Sequence, residues 1–246
     1  MENQQLIYGI RAIENALETG TEFNKILLLK NSHQNPQLNT IVHSIKRKNI
    51  SISYVPEEKF YKLTRNKNHQ GIIGFISPIK YAELEQILES NHNQKTTYLL
   101  LDKLTDVRNV GAIIRTAECA GISAIIIPRT GSAPINDDTI KVSAGALFKI
   151  PICKVDHIKD AIFLLKSYGI KTVGASEKSS TNLYRTDLNE SVALIMGNEE
   201  KGISKSVEKL LDLKVSIPMF GQISSLNVSV ATSVIVYEII RQQNFN

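Results

Sequence analysis

Cysteine is scarce in this chain of 246 residues, with only Cys119 and Cys153. Both sit in apolar surroundings, so they read as buried free thiols of a reducing compartment and not as a disulfide framework. No Cys or His pair stands at ligand spacing, which argues against a structural metal site. No apolar run reaches the roughly 18–20 residues needed to span a bilayer. The polar start, Met1 to Leu6, lacks a basic-then-apolar signal pattern, and a cytoplasmic location is expected. No G-x-G-x-x-G follows a strand, Gly197 to Ser204 lacks phosphate-loop spacing, and no G-x-S-x-G elbow occurs. Dinucleotide, P-loop and α/β-hydrolase templates therefore fail.

Hydrophobic residues make up 42% of the chain and charged residues 22%, enough for a packed core. The formal net charge is +5, and its distribution is uneven. Residues 1–80 hold 11 Lys and Arg against 6 Asp and Glu, while residues 81–246 hold 18 of each. A basic small domain joined to a neutral larger one points to a polyanionic partner for the first.

In the first third, Ile7 to Glu18 reads as a helix with Ile10, Ile13 and Leu17 on one face. Strands at Ile26–Leu29, Ile50–Val55 and Ile72–Ile76 alternate with helices that end in Lys46, Arg47 and Lys48 and in Lys62, Arg65 and Lys67. These basic ends are the candidate contacts for that polyanion, although cations favour helix C-termini in any case. The expected organisation is a small α/β domain over 1–77, a linker with a short helix over 78–96, and a second domain over 97–246. There, strands alternate with helices, so the expected fold is α/β with a mostly parallel sheet. The last apolar segment is rich in β-branched residues, but Leu226, Val230, Val234, Tyr237 and Ile240 follow a helical stripe, so a helix is expected. Ser224 and Ser225 stand where its N-cap would be, with Asn227 in the first turn.

Three loops at strand ends carry the polar groups from which a site could be built, at the sheet edge where ligands bind in open α/β folds. They are Asp102–Ala117, Met196–Ser204 and Ser216–Ala231, and they bring Asn109, Arg115, Glu199, Ser225 and Asn227. Taken singly, each has a structural alternative. Asn109, Ser225 and Asn227 suit helix caps, Glu199 suits a surface carboxylate, and Arg115 suits a bridge to Glu118 or Asp106.

Taken together, the loops resemble the three signature motifs of the SpoU (TrmH-type) RNA ribose 2′-O-methyltransferases of the SPOUT class. Asn109-x-Gly111-Ala112-x-x-Arg115-Thr116-Ala117 resembles the first, and Met196-Gly197-x-Glu199-x-x-Gly202 the second. Ile217-Pro218-Met219-x-Gly221 with Ser224-Ser225-Leu226-Asn227-Val228-Ser229-Val230-Ala231 resembles the third. Ile7-Tyr8-Gly9-Ile10-Arg11-Ala12 and His69-Gln70-Gly71-Ile72 resemble the family's small RNA-binding domain, which is similar to some ribosomal proteins. The chain departs from the family at Val107-Arg108, where a proline often follows the aspartate.

The resemblance implies a C-terminal trefoil-knotted parallel-sheet domain, a homodimer, and S-adenosyl-L-methionine as cofactor. It places the cofactor against Gly197, Ile217, Met219 and Leu226, and puts Asn109, Arg115, Glu199, Ser225 and Asn227 on the catalytic side. The implied activity is methylation of a guanosine ribose in 23S rRNA. tRNA as substrate, or a non-catalytic RNA-binding or assembly role on the same fold, are the alternatives.

Overall fold

The computed structural model describes residues 6–18, 20–30, 36–64 and 68–245. It divides into two compact units. One is Met1–Lys80 with Ile135–Asp137, and the other is Tyr81–Pro134 with Asp138–Asn246.

The first unit holds β1 (Leu6–Tyr8), α1 (Ile10–Glu18), β2 (Phe23–Leu29), α2 (Pro36–Arg47), β3 (Ile52–Val55), α3 (Glu57–Thr64) and β4 (Ile72–Ile76). Its sheet runs β1-β4-β2-β3, with β2 and β3 parallel and the other neighbours antiparallel. Alternation along β2 sorts the core. Ile26 and Leu28 pack with Ile13, Ile41 and Ile45 of α1 and α2, while Leu27 packs with Phe60 of α3. Ile7 and Tyr8 are strand, not helix as the periodicity suggested: Ile7 pairs with Gly74 and Tyr8 with Ile73. Gly9 then turns at φ +91°, and the Gln70 side chain accepts from Ile10 N at 2.9 Å, serving the first orphan amide of α1.

The second unit contains α4 (Leu84–Ser90), β5 (Thr97–Asp102), α5 (Val107–Cys119), β6 (Ala124–Pro128), α6 (Asp137–Val142) and β7 (Ile152–Val155). It continues through α7 (Ile158–Ser167), β8 (Lys171–Ala175), β9 (Val192–Gly197), α8 (Lys205–Glu208), β10 (Leu213–Val215) and α9 (Val228–Asn244). All neighbours in the sheet β10-β8-β9-β5-β6-β7 are parallel. Tyr98, Leu100, Ile126 and Ile195 meet α4, α7 and α8 on one side. Helix α4 thus belongs to this core, with Leu84 and Leu88 buried. The alternate residues Leu99, Leu101, Ile125 and Leu194 are also buried, and they face the other layer.

The final segment is a helix, although not with the face its spacing suggested. Val228, Thr232, Ile235, Val236 and Ile239 are buried, while Val230 and Tyr237 are about half exposed, at 48% and 51%. The helix is apolar on more than one side, so periodicity alone does not select the buried one. The thiols also divide. Cys153 is buried and pushed up to about 12, by burial first and then by Glu83. Cys119, expected to be buried, is exposed in the last turn of α5.

Candidate functional site

The site follows from strand order. From β5 the chain proceeds outward to β6, whereas β9 leads to β10 on the opposite side. The loops leaving β5 and β9 therefore diverge, and a crevice opens at their carboxyl ends, where Asp102 pairs with Gly197.

Glycine shapes the loop after β9. Asn198 and Gly202 exchange two backbone hydrogen bonds, Asn198 N to Gly202 O at 3.0 Å and Gly202 N to Asn198 O at 2.8 Å. A Cβ on Gly197 would strike the backbone of Gly202 and Ile203, so only glycine fits there. Gly202 closes the loop at φ +66°, which favours glycine again. Two side chains hold the loop. Asn198 Oδ1 accepts from Glu200 N and Lys201 N at 3.0 and 3.2 Å, and its Nδ2 donates to Lys103 O at 3.2 Å. The buried Asp102 carboxylate accepts from Ser204 N at 2.8 Å. Neither Asn198 nor Asp102 was singled out from the sequence. The adjacent Asn-Glu pair in a Gly-bounded loop was the available signal, since an Asn in such a loop favours local backbone bonds.

The three loops meet through side chains. Asn109 Nδ2 donates to Glu199 Oε1 at 2.8 Å, and Asn227 Nδ2 donates to Asn109 Oδ1 at 3.1 Å. Residues 90 and 118 positions apart thus share one cluster. Asn109 is not a cap. Asp106 caps α5, accepting from Arg108 N at 2.7 Å. Asn227 is itself the cap of α9, accepting from Ser229 N at 2.9 Å, so the serine pair lies upstream of the cap and Asn227 precedes the first turn.

Beside this cluster lies a cavity of about 440 Å³, within the range of about 300–1,000 Å³ usual for small-molecule sites. Gly197, Glu199, Ile217, Met219, Ser225, Leu226 and Asn227 all line it. Its wall mixes apolar groups (Ile203, Val215, Ile235) with the carboxylates Glu177, Glu199, Glu200 and Glu208 and an equal number of lysines, Lys178, Lys201, Lys205 and Lys214. The Lys214 ammonium, hydrogen-bonded to Glu208 at 2.6 Å, holds that carboxyl below its usual range. Arg115 stands apart. It is exposed on α5, two turns beyond the start of that helix, and makes no ion pair among the described residues. Glu118 faces Lys149 at 4.0 Å instead.

The candidate RNA contacts fall into two layers. Lys46 and Arg47 are exposed at the end of α2, on one side of the first sheet. Lys62 is exposed on α3, on the other side. Lys48 spends a donor on Leu17 O at 2.8 Å, closing the end of α1. Arg65 and Lys67 lie outside the described residues.

A parallel α/β sheet with a cavity and an acid–amide cluster at its switch point defines a small-ligand-binding protein of the open α/β class. Residues 96–237 match the SpoU rRNA methylase family, and residues 6–82 match the RNA 2′-O ribose methyltransferase substrate-binding domain. The chain belongs to the SpoU family of RNA methyltransferases. It is 33% identical to a putative TrmH family tRNA/rRNA methyltransferase of Staphylococcus aureus, over 97% of this chain and 96% of that one. Among solved structures it resembles the AdoMet-bound rRNA methyltransferase from Sinorhizobium meliloti, with TM-score 0.62, 27% identity, and 98% and 88% of the two chains covered. It also resembles the TrmH/SpoU tRNA modifying enzyme of A. aeolicus, with TM-score 0.56 and 32% identity, over 65% of this chain and 80% of that one.

Proposed function

We propose that the protein methylates the ribose 2′-hydroxyl of a guanosine in 23S rRNA. The observation that carries this reading is the convergence of Asn109, Glu199 and Asn227, from three separate loops, beside one cavity. The cofactor is S-adenosyl-L-methionine, which supplies an electrophilic methyl group on a sulfonium centre. The cavity suits it: carboxylates and lysines in equal number fit a ligand that carries both charges, and apolar groups at Ile217, Met219 and Leu226 fit a purine. Gly197, where a side chain would meet backbone, lets the loop close tightly against that space.

The chain's own part is to orient the ribose and help its proton leave. Arg115, without an ion pair among the described residues, holds the phosphate next to the target ribose and stabilises the charge that develops on the oxygen. An arginine with a pKa above about 12 is a poor base, so its role is electrostatic. Ser225, exposed at the cavity wall, supplies a hydroxyl to the same space.

The basic first unit supports rRNA over tRNA as the substrate. The rRNA methyltransferase above aligns with 98% of the chain and the tRNA modifying enzyme with 65%. The protein acts as a homodimer through the outer face of α9, where Val230 and Tyr237 remain exposed. The trefoil knot of the family is supported by bonds from both ends of the last segment to residues 181–188. Ser216 N donates to Thr181 O, and Gln242 bonds Thr186 and Leu188.

Labelled methyl transfer from S-adenosyl-L-methionine to separate 23S rRNA and tRNA transcripts tests the reading, with Arg115→Ala as control. The expected product is 2′-O-methylguanosine in 23S rRNA alone. Label in tRNA would move the substrate, and binding without transfer would leave a non-catalytic RNA-binding role.

A further inference from the structure

We propose that Ser229 is a positioning residue, heading a one-way chain of hydrogen bonds that presents the Glu199 carboxylate as acceptor of the ribose hydroxyl proton. Ser229 donates twice to Asn227 Oδ1, from its backbone N at 2.9 Å and from its hydroxyl at 2.6 Å. With Oδ1 so engaged, Nδ2 of Asn227 faces Asn109 Oδ1 at 3.1 Å. Nδ2 of Asn109 then faces Glu199 Oε1 at 2.8 Å.

The polarity of this chain is fixed from both ends. A backbone N–H can only donate, and an ionised carboxylate can only accept. The two amides between them therefore have one orientation each, and the assignment of their O and N atoms follows from the network. Helix α9 transmits its cap geometry to a carboxylate on another loop.

The consequence concerns the two oxygens of Glu199. Oε1 carries the Asn109 bond, while Oε2 has, among the described residues, only a 3.4 Å contact from Asn198 Nδ2. Oε2 is the oxygen left to accept a proton, and Glu199 lines the cavity. As the ribose oxygen bonds to the methyl carbon and the carbon–sulfur bond breaks to leave a neutral thioether, the hydroxyl proton passes to Glu199 Oε2 and then to water. This inference rests on the proposed methyl transfer for its chemistry, but the bond chain is a property of the protein alone.

Three full-length variants test it. Ser229→Ala keeps the backbone donor and loses the hydroxyl, and Ser229→Thr restores a hydroxyl. Glu199→Gln removes the proton acceptor, and general-base removal typically costs about 10²–10⁴ in rate. Ser229→Ala should lower kcat roughly tenfold, a loss smaller than removal of the base itself because the carboxylate remains, with KM for S-adenosyl-L-methionine unchanged. Ser229→Thr should return kcat to within about twofold. In a Glu199→Gln background, Ser229→Ala should cost nothing more. An equal cost in both backgrounds would mean that Ser229 does not act through Glu199, and would overturn the proposal. The side-chain amide protons of Asn109, followed by NMR in the free protein, should shift in Ser229→Ala and not in Ser229→Thr. An unmoved Asn109 signal in Ser229→Ala would overturn it as well. Absence of methyl transfer by the wild type to every RNA would instead sink the functional reading, and the amide signals would still decide the bond chain.

Discussion

At the scale of single residues, the site separates groups that are held from one that is free. Asn109, Glu199 and Asn227 restrain one another, so each is pre-oriented before any substrate arrives. Arg115 has no ion pair to break among the described residues, so its guanidinium would meet a phosphate without exchanging partners. Removing a group that stabilises developing charge typically costs about 10²–10³ in kcat, and that loss is expected of Arg115→Ala in single-turnover methyl transfer. Arg115→Lys keeps the charge but not the planar fork and should recover only part of it. Near-normal turnover in the lysine variant would show that bidentate geometry is irrelevant. Gly197→Ala should act differently. Its Cβ meets the backbone of Gly202 and Ile203, which no side-chain rotation can relieve. Overpacking of this kind costs about 1–3 kcal/mol, and calorimetry should show weakened S-adenosyl-L-methionine binding together with a lower Tm.

At the scale of elements, two helix ends explain what the sequence disclosed and what it hid. Asp106, at φ −82° and ψ 117°, already has the extended geometry that a following proline demands. Val107 is the first helical residue of α5, where a proline costs no hydrogen bond. Val107→Pro should therefore stabilise the protein by about 0.4–1 kcal/mol, read as a raised denaturation midpoint, and leave turnover intact. At the far end, Glu238 is buried and accepts from Arg241 at 2.9 Å twice and from Gln242 at 2.7 Å. Gln242 in turn bonds Leu188 N and Thr186 O. Arg241 first, and then Gln242 against the opposing effect of burial, holds the Glu238 carboxyl below its usual range. A lowered carboxyl stabilises the fold fully above the ordinary value of about 4.3, and that contribution is lost as the pH falls through the lowered one. Glu238→Ala should cost about 1–3 kcal/mol at neutral pH and flatten the acid limb of stability. The alternation of strands and helices, the parallel sheet and the three polar loops were legible because period and turn chemistry are local. The buried side of α9, the strand character of Ile7 and the bond between Asn227 and Asn109 were not. Each depends on a neighbour remote in sequence: β9 beneath α9, Gly74 beside Ile7, and Asn109 across from Asn227. The bond from Lys48 to Leu17 was hidden for the same reason.

At the scale of the whole molecule, surface and charge divide the labour. Val230 and Tyr237 give α9 a second apolar face, and an arginine at Val230 would bury an unpaired charge in any contact made there. Val230→Arg should convert a dimer to a monomer in sedimentation, while an unchanged mass would place the interface elsewhere. The charge excess of +5 lies wholly within residues 1–80, so the first unit is expected to carry the non-specific part of RNA affinity. Lys46, Arg47 and Lys62 are exposed, and they occupy helices on opposite sides of one sheet. Because of that separation, reversal at α2 and reversal at α3 test different candidate surfaces. Removing one cation from a phosphate should lower the slope of log K against log salt by about 0.7 for single strands and about 0.9 for a duplex. Lys46→Glu with Arg47→Glu should thus remove about 1.4–1.8 from the slope if α2 meets RNA, and Lys62→Glu about 0.7–0.9 if α3 does. A slope that falls for one helix alone assigns the RNA face to that layer. A slope unchanged by all three substitutions means that the basic helix ends only complement their own dipoles.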